Sequence, residues 1–192
     1  MPSPSKKSED SSTDTSITIR PANPEDIPAL QALIDVSVRT LSASYYNQDQ
    51  IESALANVFG VDSQLIEDGT YFVAEIAGQI VGAGGWSKRK ALFGGDQFKA
   101  DHAQLLNPAT DAARIRAFYV HPEWSRRGIG RKIAQACEDA AKTAGFKMLE
   151  LAATLPGEPL YLAMGYKNMG ACPIPLPGGR SLPCFRMEKR LE

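Results

Sequence analysis

The sequence predicts an α/β (α+β) domain, a mixed sheet flanked by helices, and three observations carry that expectation. From Ile115 to Ala153 a strand, a glycine-bearing turn, an amphipathic helix and a second strand follow one another, the order of a βαβ crossover. Thr70 to Ile76 and Ile80 to Trp86 alternate or run apolar about Ala77-Gly78-Gln79, a hairpin signature. With 192 residues, 43% of them hydrophobic, the chain can fill one core and is too short to expect two.

Taken in order, residues 1–16 are crowded with Ser, Thr, Lys, Asp and Pro, hold no apolar run and predict a disordered tail, leaving 17–192 as the folded domain. Ile17 to Ala22 reads as a first strand. Asn23 then caps a helix, Pro24 takes its first position and Asp26 supplies first-turn negative charge. Its stripe is Ile27, Leu30, Ile34, Val38 and Leu41. A second helix is expected from Gln48 to Phe59, opened by Asn47, with Ser42 to Tyr46 as the loop between them. After the hairpin, Gly82, Gly84 and Gly85 imply close approach by another backbone or a ligand. Lys88 to Asp111 is long and irregular, the pattern of a site lid or a disordered loop, and carries Asp96, Asp101, His102 and Asp111.

Ile115 to Val120 forms a central strand that stops at Pro122, because the residue before proline is pushed out of the helical region. Ile129, Ile133, Ala136, Cys137, Ala140 and Ala144 stripe the next helix, and Gly145 caps it. Lys147 to Ala153 is the following strand. Ser181 to Glu188 closes the sheet after the turn-rich Pro173 to Gly179.

Composition narrows the function. Twenty-one basic and 22 acidic residues give a net charge of −1, so no general electrostatic footprint for nucleic acid exists. No hydrophobic leader and no membrane-length apolar run are visible, which predicts a soluble, cytoplasmic protein without a membrane partner. Cys137, Cys172 and Cys184 lack metal-ligand spacing, so reduced thiols and no metal are expected.

One local feature breaks the charge balance. Arg126, Arg127, Arg131 and Lys132 crowd Gly128-Ile129-Gly130, and Glu123 is the only acid between Val120 and Gln135. Glycines there admit close backbone approach, and the helix that follows opens with unpaired N–H groups. A phosphate or pyrophosphate is the natural guest. The Rossmann pattern G-x-G-x-x-G and the Walker pattern G-x-x-x-x-G-K-[ST] are both missing, which sets aside the two commonest phosphate loops.

Ser125-Arg126-Arg127-Gly128-Ile129-Gly130, after a strand ending Val120-His121-Pro122, resembles the [QR]-x-x-G-x-[GA] loop of the GNAT acyltransferase superfamily. Ser125 stands where that family prefers glutamine or arginine, so the backbone donors carry the resemblance. Leu160-Tyr161-Leu162-Ala163-Met164-Gly165-Tyr166 is similar to the family's downstream L-Y-x-x-x-G-[FY], and Ile17 to Ala22 with Asp26 resembles its first strand and helix entry. The resemblance implies a twisted sheet of about six to seven strands, splayed between the fourth and fifth, with about four flanking helices.

It further implies an acetyl-CoA-dependent N-acetyltransferase, whose amine acceptor, a small molecule or peptide, attacks the thioester directly. The implied cofactor contacts are Phe118, Tyr119, Val120, Arg126, Arg127, Gly128, Ile129, Gly130, Arg131 and Thr154. An oxyanion donor is expected among the N–H groups near Tyr119 or Val120. Tyr161 is the implied acid for the leaving thiol, and Tyr45 and Tyr46 are candidate acceptor contacts. Relatives with a glutamate on the central strand have no counterpart here, where Arg114 and Arg116 stand. Glu150, Glu158, His102, Asp111 and His121 remain candidate bases. A lysine-like amine costs about 4 to 5 kcal/mol to deprotonate at pH 7, so a site without a base favours weakly basic amines. A non-catalytic acyl-CoA sensor, or transfer of longer acyl chains or to hydroxyls with volume near Gly82 to Gly85, are the alternatives. A monomer or homodimer is expected in either case.

Overall fold

In the computed structural model, residues 16–97 and 104–192 are described. All of the expected tail except Ser16 lies outside these, as do Asp101 and His102. Seven strands form one sheet in the order β1-β2-β3-β4-β5-β9-β6, and β7 with β8 makes a separate two-stranded ribbon. The ranges are β1 Thr18–Pro21, β2 Tyr71–Ile76, β3 Gln79–Ser87, β4 Ala113–Val120, β5 Met148–Thr154, β6 Lys167–Ala171, β7 Ile174–Leu176, β8 Arg180–Leu182 and β9 Cys184–Arg190. The expected closing strand is thus two strands broken at Pro183, which has no N–H for a ladder.

Among the described residues, five α-helices accompany the sheet: α1 Ile27–Leu41, α2 Gln48–Asn57, α3 Ser63–Glu67, α4 Ile129–Thr143 and α5 Glu158–Ala163. Helix α1 is entered through a 3-10 turn, Pro24–Asp26, where the Asn23 N–H donates to Asp26 at 2.9 Å. Asn47 caps α2, accepting from the Gln50 N–H at 2.9 Å, while Gln50 accepts from the Asn47 N–H at 3.1 Å. This reciprocal pairing satisfies donors the helix start would leave bare.

Two cores lie on opposite faces of the sheet. Leu30, Ile34, Val58, Leu65 and Tyr71 bury α1, α2 and α3 on one side. Ile129, Ile133, Cys137, Leu149 and Tyr161 bury α4 and α5 on the other. The inward face of α4 runs through Ile129, Ile133, Ala134, Cys137, Glu138 and Ala141. Ala144 is exposed, although it continues the expected stripe, because the helix ends at Thr143. Glu138 is tolerated inside because Lys189 Nζ donates to it at 2.6 Å.

The glycines of β3 are explained by packing. A Cβ on Gly82 would sit 2.6 Å from Ile129 Cγ2, one on Gly84 2.6 Å from the Phe118 ring, and one on Gly85 2.8 Å from Leu65 Cδ1. Side chains of α3, α4 and β4 fill that space. Among the described residues, no helix is long and apolar enough to cross a membrane.

Candidate functional site: a fork in the sheet above an anion cradle

Strands β4 and β5 are the sheet's one parallel pair, and they touch only at Ala113↔Leu149 and Arg114↔Glu150. Beyond Arg114 they diverge. The β5-facing backbone edge of β4 is left without a strand partner from Ile115 onward, and a cavity of about 390 Å³ opens in the fork.

A bulge sets which side chains face it. Gly85 pairs with Arg116 but Ala83 pairs with Tyr119, so β4 carries one extra residue, and Ala117 takes φ +55°. Ile115 and Phe118 therefore share the α4 face at a separation of three, where a regular strand would put Phe118 on the opposite face. Sequence reasoning missed this bulge, and only the run of glycines on β3 hinted at it.

Phe118, Tyr119, Val120, Arg126, Gly130, Thr154, Tyr161 and Tyr45 all line the cavity, together with Ser125. The Val120 N–H donates to Ser37 Oγ at 3.3 Å, a long bond of the kind a better acceptor displaces. Below it, Gly128 adopts φ +80° as the residue before α4, and Arg126 adopts φ +63°. No side chain caps α4, so its first-turn N–H groups face outward at the same end as the exposed Arg126.

The other loop residues have different work. Ile129 is buried in the core and offers the site only its backbone. Arg127 stacks on Trp124, 4.7 Å from the ring centroid, and Arg131 donates to the Ala163 carbonyl at 3.3 Å, tying α4 to the end of α5.

Tyr161 is 6% exposed, its ring edge-on to Phe118 at 6.0 Å and to Tyr166 at 5.4 Å. Burial, then Cys137 and Tyr119, push its phenol well above its ordinary range, so it is a hydroxyl donor throughout the working pH range. That moves it further from thiol acidity than an exposed tyrosine would be.

Tyr46, expected beside the acceptor, is instead a brace. Its hydroxyl donates to the Pro183 carbonyl at 2.7 Å and accepts from the Leu155 N–H at 2.8 Å, with the ring in the core. Tyr45, 50% exposed, stands at the cavity wall.

The candidate bases among the described residues are engaged elsewhere, and His102 lies outside them. Glu150 is held by Arg114 and by Arg186 at 2.9 Å, Glu158 accepts from Asn168 at 2.7 Å, and Asp111 from the Asn107 N–H at 2.7 Å. His121 lines a separate groove with Arg20 and Asp26. Arg116, 4% exposed, pairs with Asp62 at 2.7 Å and donates to the carbonyls of Ala91 and Gly94. It thereby fixes the Leu92 to Gly95 segment as a cavity wall. Sequence reasoning gave Arg116 no such role, since Asp62 lies far away along the chain.

A model of the Acetyltransferase (GNAT) family matches residues 34–166, more than half of the chain and all of the fork. The chain belongs to the GNAT acetyltransferase family. The GNAT fold is also that of its solved neighbours. A GCN5-related N-acetyltransferase from Rhodopseudomonas palustris is 23% identical, with TM-score 0.68 over 91% of this chain and 95% of that one. The PaiA N-acetyltransferase of Thermoplasma acidophilum, solved in complex with coenzyme A, is 17% identical, with TM-score 0.64 over 92% and 99%. A putative acetyltransferase of Salmonella typhimurium, solved with its cofactor acetyl-CoA, is 19% identical, with TM-score 0.61 over 92% and 95%. No curated protein matches.

Proposed function

We propose that this chain is an acetyl-CoA-dependent N-acetyltransferase, with residues 17–192 as one catalytic unit acting in the cytoplasm on the amine of a small molecule or peptide. The observation that carries the reading is the continuity of one cavity from the uncapped start of α4, past the open edge of β4, to Tyr161. Two of the structural neighbours were solved with coenzyme A or acetyl-CoA, which supports the same donor here.

The cradle suits a pyrophosphate on three grounds: free N–H donors, a helix N-terminus and the Arg126 guanidinium. Phe118, Tyr119 and Val120 offer an open strand edge to an extended amide-bearing arm, in the manner of an added strand. Thr154 offers a hydroxyl from the opposite side of the fork. Arg127, Gly128, Ile129 and Arg131 contribute through backbone and by fixing the loop.

Bound there, acetyl-CoA supplies a thioester carbonyl for direct attack by the acceptor amine. The Val120 N–H, released from Ser37, donates to oxygen as negative charge gathers on it. Tyr161, kept protonated by burial, donates its hydroxyl to the departing sulfur.

The test pairs a thiol-release assay across amines with calorimetric titration of coenzyme A. The enzyme reading expects binding and turnover, with Tyr161→Phe lowering kcat at least about 10²-fold at nearly unchanged coenzyme A affinity. Unchanged kcat in that variant removes Tyr161 from the chemistry. Absence of coenzyme A binding removes the reading altogether.

A further inference from the structure

The acceptor end of the cavity has an unusual charge inventory. Its wall is built by Leu41, Tyr45, Phe59, Leu92, Phe93 and Ile174, from α1, its following loop, the end of α2, the Leu92 to Gly95 segment and β7. Among the described residues, none that line the cavity is an aspartate, glutamate, histidine or lysine. The charged lining groups are Arg116 and Arg126. Arg126 stands at the α4 end, and Arg116 is already matched by Asp62. The hydroxyls of Tyr119 and Tyr161 stay protonated, each raised chiefly by burial, and the Gly60 N–H donates to the Tyr119 oxygen.

An alkylammonium entering this pocket would leave water and find no carboxylate among the described lining residues to pair with. Burying an unpaired charge in that way is strongly unfavourable. Nor does the described wall hold a group that could take its proton. A neutral amine on an aromatic body faces neither obstacle, and its ring has three aromatic side chains to pack against, edge-on or offset.

On the reading that this cavity is the acetyl-transfer site, we propose that its acceptor is an uncharged, weakly basic amine carried on an aromatic ring, an arylamine in chemical class. The nitrogen lone pair forms the bond to the acetyl carbon while the carbon–sulfur bond breaks. The nitrogen's proton leaves with the sulfur as a thiol, so the sum is amine plus thioester to amide plus thiol. No proton need be removed before attack, which is why an apolar wall suffices.

Two probes of similar shape decide the matter: 4-methoxyaniline, neutral at pH 7, and 2-phenylethylamine, cationic at pH 7. Each is titrated calorimetrically into the wild-type protein saturated with coenzyme A, and each is assayed for thiol release with acetyl-CoA from pH 7 to 9. The expected result is at least tenfold tighter binding and at least tenfold higher kcat/KM for 4-methoxyaniline at pH 7. That advantage should shrink about tenfold per pH unit as the free base of 2-phenylethylamine accumulates. A Tyr45→Glu variant, placing a carboxylate at an exposed wall position, should narrow the gap at pH 7 by favouring the cation.

Preference for 2-phenylethylamine at pH 7 in binding or turnover overturns the assignment, as does a ratio independent of pH, or no binding of either probe at millimolar concentration. Binding of 4-methoxyaniline to the coenzyme A complex without thiol release upholds the ligand class and overturns the catalytic reading. Brisk turnover of 2-phenylethylamine with poor use of 4-methoxyaniline does the reverse.

Discussion

Arg126 holds a left-handed backbone, φ +63°, where a residue with a Cβ is strained by about 1 to 2 kcal/mol. Gly128, two residues on, has φ +80° and suffers no such strain. The loop thus keeps a cation at a position glycine would occupy more comfortably, as expected where charge is wanted at the mouth of a helix. Arg126→Gly should leave the urea midpoint unchanged or slightly raised while weakening coenzyme A binding about tenfold, read by calorimetry. A lower midpoint with intact affinity would show that the side chain serves folding instead. Asp62 is the converse case. Its carboxylate neutralises Arg116 at 2.7 Å with both groups almost wholly buried, and burial already lowers the Arg116 pKa. Asp62→Ala strands that charge and should destabilise the fold by about 3 to 5 kcal/mol in denaturant titration.

At the scale of elements, α4 rests on β3 because Gly82 leaves room for Ile129 and Ile133. Gly82→Ala places a methyl 2.6 Å from Ile129 Cγ2 and 3.0 Å from Ile133 Cδ1, and such overpacking should cost about 1 to 3 kcal/mol. Because the same helix presents the cradle, the variant should also loosen coenzyme A binding, detectable in parallel titrations. The placement of α4 and its glycine-arginine approach was legible from local spacing, since helical period and turn glycines are written within a few tens of residues, whereas Tyr161 was singled out by the resemblance of Leu160 to Tyr166 to a family motif. The three glycines of β3 were legible as close-approach sites, but not what approached, since Ile129, Phe118 and Leu65 come from other elements. The bulge at Ala117 was hidden because φ at one alanine answers to strand pairing rather than to its neighbours. Tyr46 read as an acceptor contact because the resembling family builds an acceptor wall from this region, whereas a hydroxyl bridge to Leu155 and Pro183 can be known only once the chain has returned.

Across the whole molecule, titratable groups are arranged to favour the folded state at neutral pH and to abandon it at both extremes. Arg20 hydrogen-bonds Asp26, joining β1 to the entry of α1, and Arg89 hydrogen-bonds Asp68, joining the end of α3 to the segment after β3. Both carboxyls are held below their usual range chiefly by those arginines. Their contribution is therefore present above about pH 3.9, the unfolded value, and lost as pH falls through the lower folded values. The alkaline side has the opposite origin. Burial pushes the Cys184 thiol up to about 12, so the unfolded chain ionises first and stability falls as pH rises from about 8.5 towards that folded value. Urea midpoints should accordingly be flat from pH 5 to 8 and decline on either side. Asp68→Asn should lower the neutral plateau and flatten the acid decline, while Cys184→Ala should flatten the alkaline decline whatever it does to the plateau. An alkaline slope unchanged by Cys184→Ala would assign that arm to the buried Cys137 thiol and the phenols of Tyr71, Tyr119 and Tyr161, which burial also raises.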